Sequence, residues 1–121
     1  MAAINLDIST KLDITCRRND TFSLEVVFKD SDGVGLLLTE YTAFKMEVRR
    51  HDRKTGAPTI LFTLADGDIA GDDAGKLTIT KSSSDMNISG GNYVYDLQAT
   101  KSGITSTWLR GKFTINEDVT I

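Results

Sequence analysis

Few residues in this chain are of a type and spacing that could do chemistry. One histidine, His51, and one cysteine, Cys16, stand among 121 residues. Multi-histidine metal centres, cysteine-rich zinc sites and intrachain disulfide frameworks are therefore outside its means. The best metal candidate is Asp66-Gly67-Asp68-Ile69-Ala70-Gly71-Asp72-Asp73, in which Asp66, Asp68 and Gly71 match positions 1, 3 and 6 of a calcium loop. Position 5 is Ala70 and position 12 is Leu77, so the site falls short of the six to eight oxygens a hard cation takes. The stretch reads as a solvated turn between strands, and no metal or cofactor is assigned to it.

Nucleophilic chemistry fares no better. His51 has no serine or cysteine partner in a recognisable motif, and nothing resembles Gly-x-Ser-x-Gly. Cys16, beside Arg17 and Arg18, has the neighbours of a low-pKa thiol. Its alternation with Leu12 and Ile14 instead marks a small packed residue. Gly90-Gly91 precedes a strand pattern rather than a helix, which is no phosphate cradle. The expectation is a protein without a catalytic site.

Two features suit contact rather than catalysis. Arg49-Arg50-His51-Asp52-Arg53-Lys54 is the basic cluster, fit for an acidic protein surface. It lacks interleaved aromatics for stacking bases, and 14 basic against 17 acidic residues give the chain a net charge of −3. That balance argues against phosphate-driven nucleic-acid binding, and no nucleic-acid partner is expected. Alternation puts Trp108 and Arg110 opposite Leu109 and Phe113, which leaves Trp108 either an exposed interface anchor or a residue covered by a second sheet.

The elements that must position these residues are strands. Period-two alternation runs through Leu12–Arg17, Phe22–Phe28 and Phe44–Arg50, then through Ile60, Phe62 and Leu64. It continues in Leu77 with Ile79, in Tyr93, Tyr95 and Leu97, and in Leu109, Gly111, Phe113 and Ile115. Turn chemistry separates the runs at Asp30–Gly33, Lys54–Pro58, Asp72–Gly75 and Lys101–Gly103, the last a hairpin loop. Abundant threonine suits half-buried pleated surfaces. Ser82–Ile88 breaks the alternation and predicts one helical turn capped by Ser82 or Ser83.

These elements predict an all-β fold: an immunoglobulin-like antiparallel β-sandwich of about seven or eight strands with one short helical turn, spanning residues 10–121. Residues 1–9, with Ile4, Leu6 and Ile8 in alternation, read as an N-terminal arm or extra strand that could pair with a neighbouring copy. The N-terminus lacks a basic region followed by a long apolar run, so no secretory signal is expected. The longest aliphatic run, Leu36-Leu37-Leu38, is far short of the roughly 20 residues that span a bilayer. A soluble protein made in the cytoplasm, without a membrane partner, is the expectation.

From Cys16 onward the order of these segments carries a resemblance. Asn19-Asp20-Thr21-Phe22 opens a strand, a charged turn follows at Lys29–Gly33, and Leu38-Thr39-Glu40-Tyr41-Thr42-Ala43 leads into Phe44–Arg49. Gly75-Lys76-Leu77-Thr78-Ile79-Thr80 comes next, then Gly90-Gly91-Asn92-Tyr93-Val94-Tyr95-Asp96-Leu97, and Arg110–Ile115 closes the series. Over residues 12–120 the chain resembles the immunoglobulin-like domain at the N-terminus of lactococcal phage upper baseplate proteins, also found as small standalone phage and prophage proteins. Glu40 stands where that pattern has glycine, and the fibre-carrying role of the longer proteins is not expected of these 121 residues. The resemblance implies a non-enzymatic virion structural or adaptor protein in a tail, baseplate or head–tail connector, synthesised in the bacterial host cytoplasm. Its partners would be other virion proteins and further copies of itself. A capsid head-decoration protein is the near alternative, and a carbohydrate- or calcium-binding module the more distant one. The candidate interface residues are Ile4, Leu6, Ile8, Arg49, Arg50, Trp108 and Arg110.

Overall fold

Most strands follow from the alternation of apolar and polar side chains; the segment Ile69–Gly71, which holds buried Ile69, lies instead in the stretch read from sequence as a solvated turn. A computed structural model describes residues 10–30, 32–50 and 58–117. Nine strand segments appear in it: β1 (Thr10–Lys11), β2 (Ile14–Arg17), β3 (Phe22–Val27), β4 (Ala43–Arg50), β5 (Ile60–Thr63), β6 (Ile69–Gly71), β7 (Lys76–Lys81), β8 (Gly91–Lys101) and β9 (Ile104–Asn116). In β4, Phe44, Met46 and Val48 are buried while Lys45, Glu47 and Arg49 face outward. In β8 the buried set is Tyr93, Tyr95, Leu97 and Ala99, and in β9 it is Leu109, Phe113 and Ile115.

The larger sheet runs β1-β9-β8-β4-β5, with β2 also on the edge of β9, and the smaller runs β3-β7-β6. This is the layout of an immunoglobulin-like sandwich. All pairings are antiparallel except those of β1 and β2, which run parallel to β9. These two segments are one strand position interrupted at Leu12 and Asp13. The Phe22 ring bridges the layers, 5.4 Å from Phe62 and 5.6 Å from Phe113 across the core. No helix among the described residues is long and apolar enough to cross a membrane.

The interruption between β1 and β2 sits over Gly111. A Cβ there would lie 2.4 Å from the Leu12 carbonyl oxygen and 3.0 Å from Asp13 Oδ1, so only glycine lets the first strand approach β9 so closely. Leu12 N–H donates to Arg110 O at 2.8 Å, and Asp13 Oδ1 accepts from Lys112 N–H at 3.0 Å.

The predicted turn after Ser82 forms, with Met86 N–H reaching Ser82 O at 3.1 Å and Asp85 N–H approaching Ser82 Oγ at 3.4 Å. It stops short of a helix, and it drives Met86 into full burial. The 3-10 helix found among the described residues lies instead at Leu38–Glu40, where Leu38 plugs the core between exposed neighbours. The sequence reading does not anticipate it, because one buried residue in a loop leaves no periodicity.

Candidate interaction surfaces

The candidate residues fall into three places. Ile4, Leu6 and Ile8 lie outside the described residues, as do His51 and most of the basic stretch that follows Arg50. Arg49 and Arg110 project from the outer face of the large sheet, and Arg50 is exposed at the end of β4. Trp108 lies elsewhere.

Alternation alone places Trp108 opposite Leu109, and the structure corrects this. Leu97 pairs with Leu109 but Gln98 pairs with Thr107, so Trp108 is the extra residue of a β-bulge. The bulge turns its ring toward the interior, 4.7 Å from Phe28, 5.0 Å from Tyr41 and 5.8 Å from Phe44. Trp108 is half-buried and packs against the core, and it anchors the end of the sandwich rather than presenting a free contact. A bulge is a two-strand property, and the sequence of one strand does not display it.

On the outer face, β4 and β8 hold a shallow depression of about 420 Å³ lined by Lys45, Glu47, Arg49, Val94, Asp96 and Gln98. Cross-strand register sets Glu47 beside Asp96, Arg49 beside Val94, Asp96 beside Arg110 and Val94 beside Lys112. Glu47 accepts from Arg49 Nε at 3.0 Å and pairs with Lys45 at 3.2 Å. Burial alone would raise the Glu47 carboxyl, but hydrogen bonds from Arg49 and Lys45 outweigh it and hold the group below its ordinary range. Asp96 moves the other way: burial raises it, the adjacent Glu47 adds to the rise, and Lys45 and Arg49 only partly compensate. Two carboxylates thus share one charged hollow with Lys45 and Arg49.

The second surface is the sandwich end built from the β3–β4 connection and the β8–β9 hairpin. There Val34 is 60%, Leu37 50% and Ile104 72% exposed. Val34, Leu36, Leu37 and Tyr41 line a hollow with Asp30, Glu40 and Lys101. Asp30 Oδ1 accepts the N–H groups of Asp32 and Val34, which fixes the loop tip. Sequence reasoning passed over Val34, Leu37 and Ile104, since a single apolar residue in a loop gives no sign of whether it points in or out.

The remaining candidates serve the fold. Asp68 Oδ2 lies 3.1 Å from Lys81 Nζ and 3.4 Å from Thr63 N, while Asp72 Oδ1 accepts from Ala74 and Lys76 N–H at 2.9 Å each. Cys16 is half-buried against the core, and its thiol is pushed up to about 11 by burial, with Asp20 adding to the rise. Gly90 N–H donates to Glu117 Oε1 at 2.8 Å, so the glycine pair joins strands at this end. Compared with known proteins, the chain matches no family model and no curated sequence.

Proposed function

We propose that this protein is a non-enzymatic bacteriophage virion component, an immunoglobulin-like adaptor that joins structural proteins in a tail, baseplate or head–tail connector. The observation that carries the reading is the exposed apolar end of the sandwich, where Val34, Leu37 and Ile104 stand in solvent beside acidic side chains. Side chains of this kind on a rigid β-framework suit protein contact. The order of segments from Asn19-Asp20-Thr21-Phe22 to Arg110–Ile115 supports the phage assignment by resemblance. Partners are then other virion proteins, and the site of synthesis is the host cytoplasm.

The test is gradient banding of particles from a producing host, followed by immunodetection of the chain. Co-banding with intact particles, resistant to a salt wash, is the expected result. A chain found wholly in the soluble fraction overturns the proposal. Labelling of intact particles by antibody separates a surface decoration from an internal connector.

A further inference from the structure

The outer edge of β9 is covered in part. β1 and β2 pair with it at Leu109–Arg110 and Phe113–Asn116, whereas Ile104–Trp108 have β8 as their one strand partner among the described residues. An open strand edge is a template for a further strand. The end of the sandwich beside this edge is open as well. β3 is the outer strand of the small sheet, and its inward Leu24, Val26 and Phe28 are half-buried, while Ile79 and Leu77 next to it on β7 are fully buried. Beyond Phe28, the bridge Lys29–Gly35 puts Val34 and Leu36 on the face of Phe28, whose ring lies 4.7 Å from Trp108. Ile104 sits opposite Lys101, on the same inner face as Leu97 and Ala99. Val34 and Ile104 thus belong to the inward faces of the two sheets yet are 60% and 72% exposed. Among the described residues, nothing closes this end.

The chain that leads into β1 arrives at this opening. Thr10 pairs in parallel with Leu109 and Ile14 with Phe113, so the register runs unbroken across the interruption at Leu12 and Asp13. Register partners share a face, and Leu109 and Phe113 are buried, so Thr10, Leu12 and Ile14 take inward positions. Counting back in the sequence, Ile8, Leu6 and Ile4 fall on that same face, and Ser9, Asp7 and Asn5 on the outer one. Upstream of Thr10, a parallel partner of β9 runs toward the hairpin tip, from Trp108 to Ile104. Asn5–Ser9 matches that open stretch in length, residue for residue. No loop separates Ser9 from Thr10, so ordering this segment on its own edge costs no loop closure. A segment from another chain would also give up translational and rotational freedom.

We infer that residues 5–9 of the same chain prolong β1 along the Ile104–Trp108 edge of β9, with Ile8 and Leu6 closing the open end against Phe28, Trp108, Val34 and Ile104. The alternation of Ile4, Leu6 and Ile8 then has the same cause as that of Leu12 and Ile14, since all face one core. The isolated chain thereby shields a strand edge and an apolar patch that would otherwise recruit other chains. A partner docking at this end meets the segment as part of the surface or displaces it. The inference rests on register and alternation, and holds or falls independently of the virion reading.

Amide hydrogen exchange of the full chain, with sedimentation velocity at matched concentrations, is the test. The expected result is a monomer in which two sets of amides exchange at least about tenfold more slowly than in an unstructured chain. These are the amides of residues 5–9 and those of Ile104–Trp108 that point away from β8. Leu6→Asp combined with Ile8→Asp should restore fast exchange at both stretches and leave the β4 and β8 amides protected. Asp7→Lys, on the outer face, should change neither stretch. If the double variant loses protection in β4 and β8, Leu6→Ser with Ile8→Ser takes its place. Fast exchange at both stretches in the parent overturns the inference. So does protection that grows in step with a dimer, which assigns the edge to the segment of a second copy, and so does protection indifferent to the inward substitutions.

Discussion

Tyr95 donates its hydroxyl to the Leu12 carbonyl at 2.6 Å, tying the interruption of the first strand to the middle of β8. The same carbonyl lies above Gly111, so three strands meet at one point. Burial pushes the Tyr95 phenol up to about 12 from an ordinary 10.0, with Asp13 adding to the rise. The folded state therefore favours the protonated phenol. Its contribution is complete below pH 10 and is lost as the pH climbs through 12, about 2–3 kcal/mol in all. Tyrosinate absorbance should show one of the three tyrosines titrating late, coincident with alkaline unfolding. Tyr95→Phe should remove that late step and lower stability at neutral pH by about 1–2 kcal/mol.

Gly111→Ala brings a Cβ to within 2.4 Å of the Leu12 oxygen, and the obstacle is backbone rather than a side chain that can swing away. A loss of about 2–3 kcal/mol is expected, concentrated in β1 and β2. Amide exchange should accelerate at Leu12, whose N–H is bonded to Arg110. Gly103→Ala, with positive φ but open space around it, should cost only about 1 kcal/mol.

Trp108 reports on the bulge. As the single tryptophan of the chain, it should fluoresce with a blue-shifted maximum in the native state and shift to the red on unfolding. Trp108→Ala removes contacts to Phe28, Tyr41 and Phe44, at a cost of about 3 kcal/mol in denaturant melts. A red-shifted native spectrum would contradict the inward ring.

Cys16 should be a slow nucleophile. With its thiol pushed from 9.0 to about 11, the thiolate fraction at mildly alkaline pH falls about a hundredfold. Thiol-reagent labelling should be slow in the native protein and rapid after denaturation, despite Arg17 and Arg18 alongside. Fast native labelling would show the neighbouring cations outweighing burial.

Lys81 and Asp68 form a shielded ion pair, 3.1 Å apart with side chains 16% and 17% exposed. Asp68→Asn should destabilise the fold by about 1–3 kcal/mol, because the shielded lysine loses its anionic partner and keeps only the Leu61 carbonyl and the Phe62 ring. Calcium at millimolar levels should leave the melting temperature of the parent unchanged, because the carboxylate is already engaged. A calcium-dependent rise would restore the loop as a cation site.

The sequence by itself determined most of the residues that face the core, though not Leu38 or Ile69. Phe22, Phe44, Met46, Val48, Ile60, Phe62, Leu77, Ile79, Tyr93, Tyr95, Leu97, Leu109, Phe113 and Ile115 all alternate along the chain, and all are buried. Alternation is local, since successive side chains of a strand point to opposite faces whatever the partner. Turns at Asp30–Gly33 and Lys101–Gly103 were legible for the same reason, as their chemistry resides in the turn residues. Tertiary structure alone decided that the first strand pairs with the last, in parallel, because strand pairing brings together residues about a hundred positions apart. It also decided that Trp108 faces inward, since a bulge exists only relative to a partner strand. The contact surfaces belong to this second kind. Val94 and Lys112, or Leu37 and Lys101, acquire joint meaning only when β8 and β9 set their register and the loops close over the end.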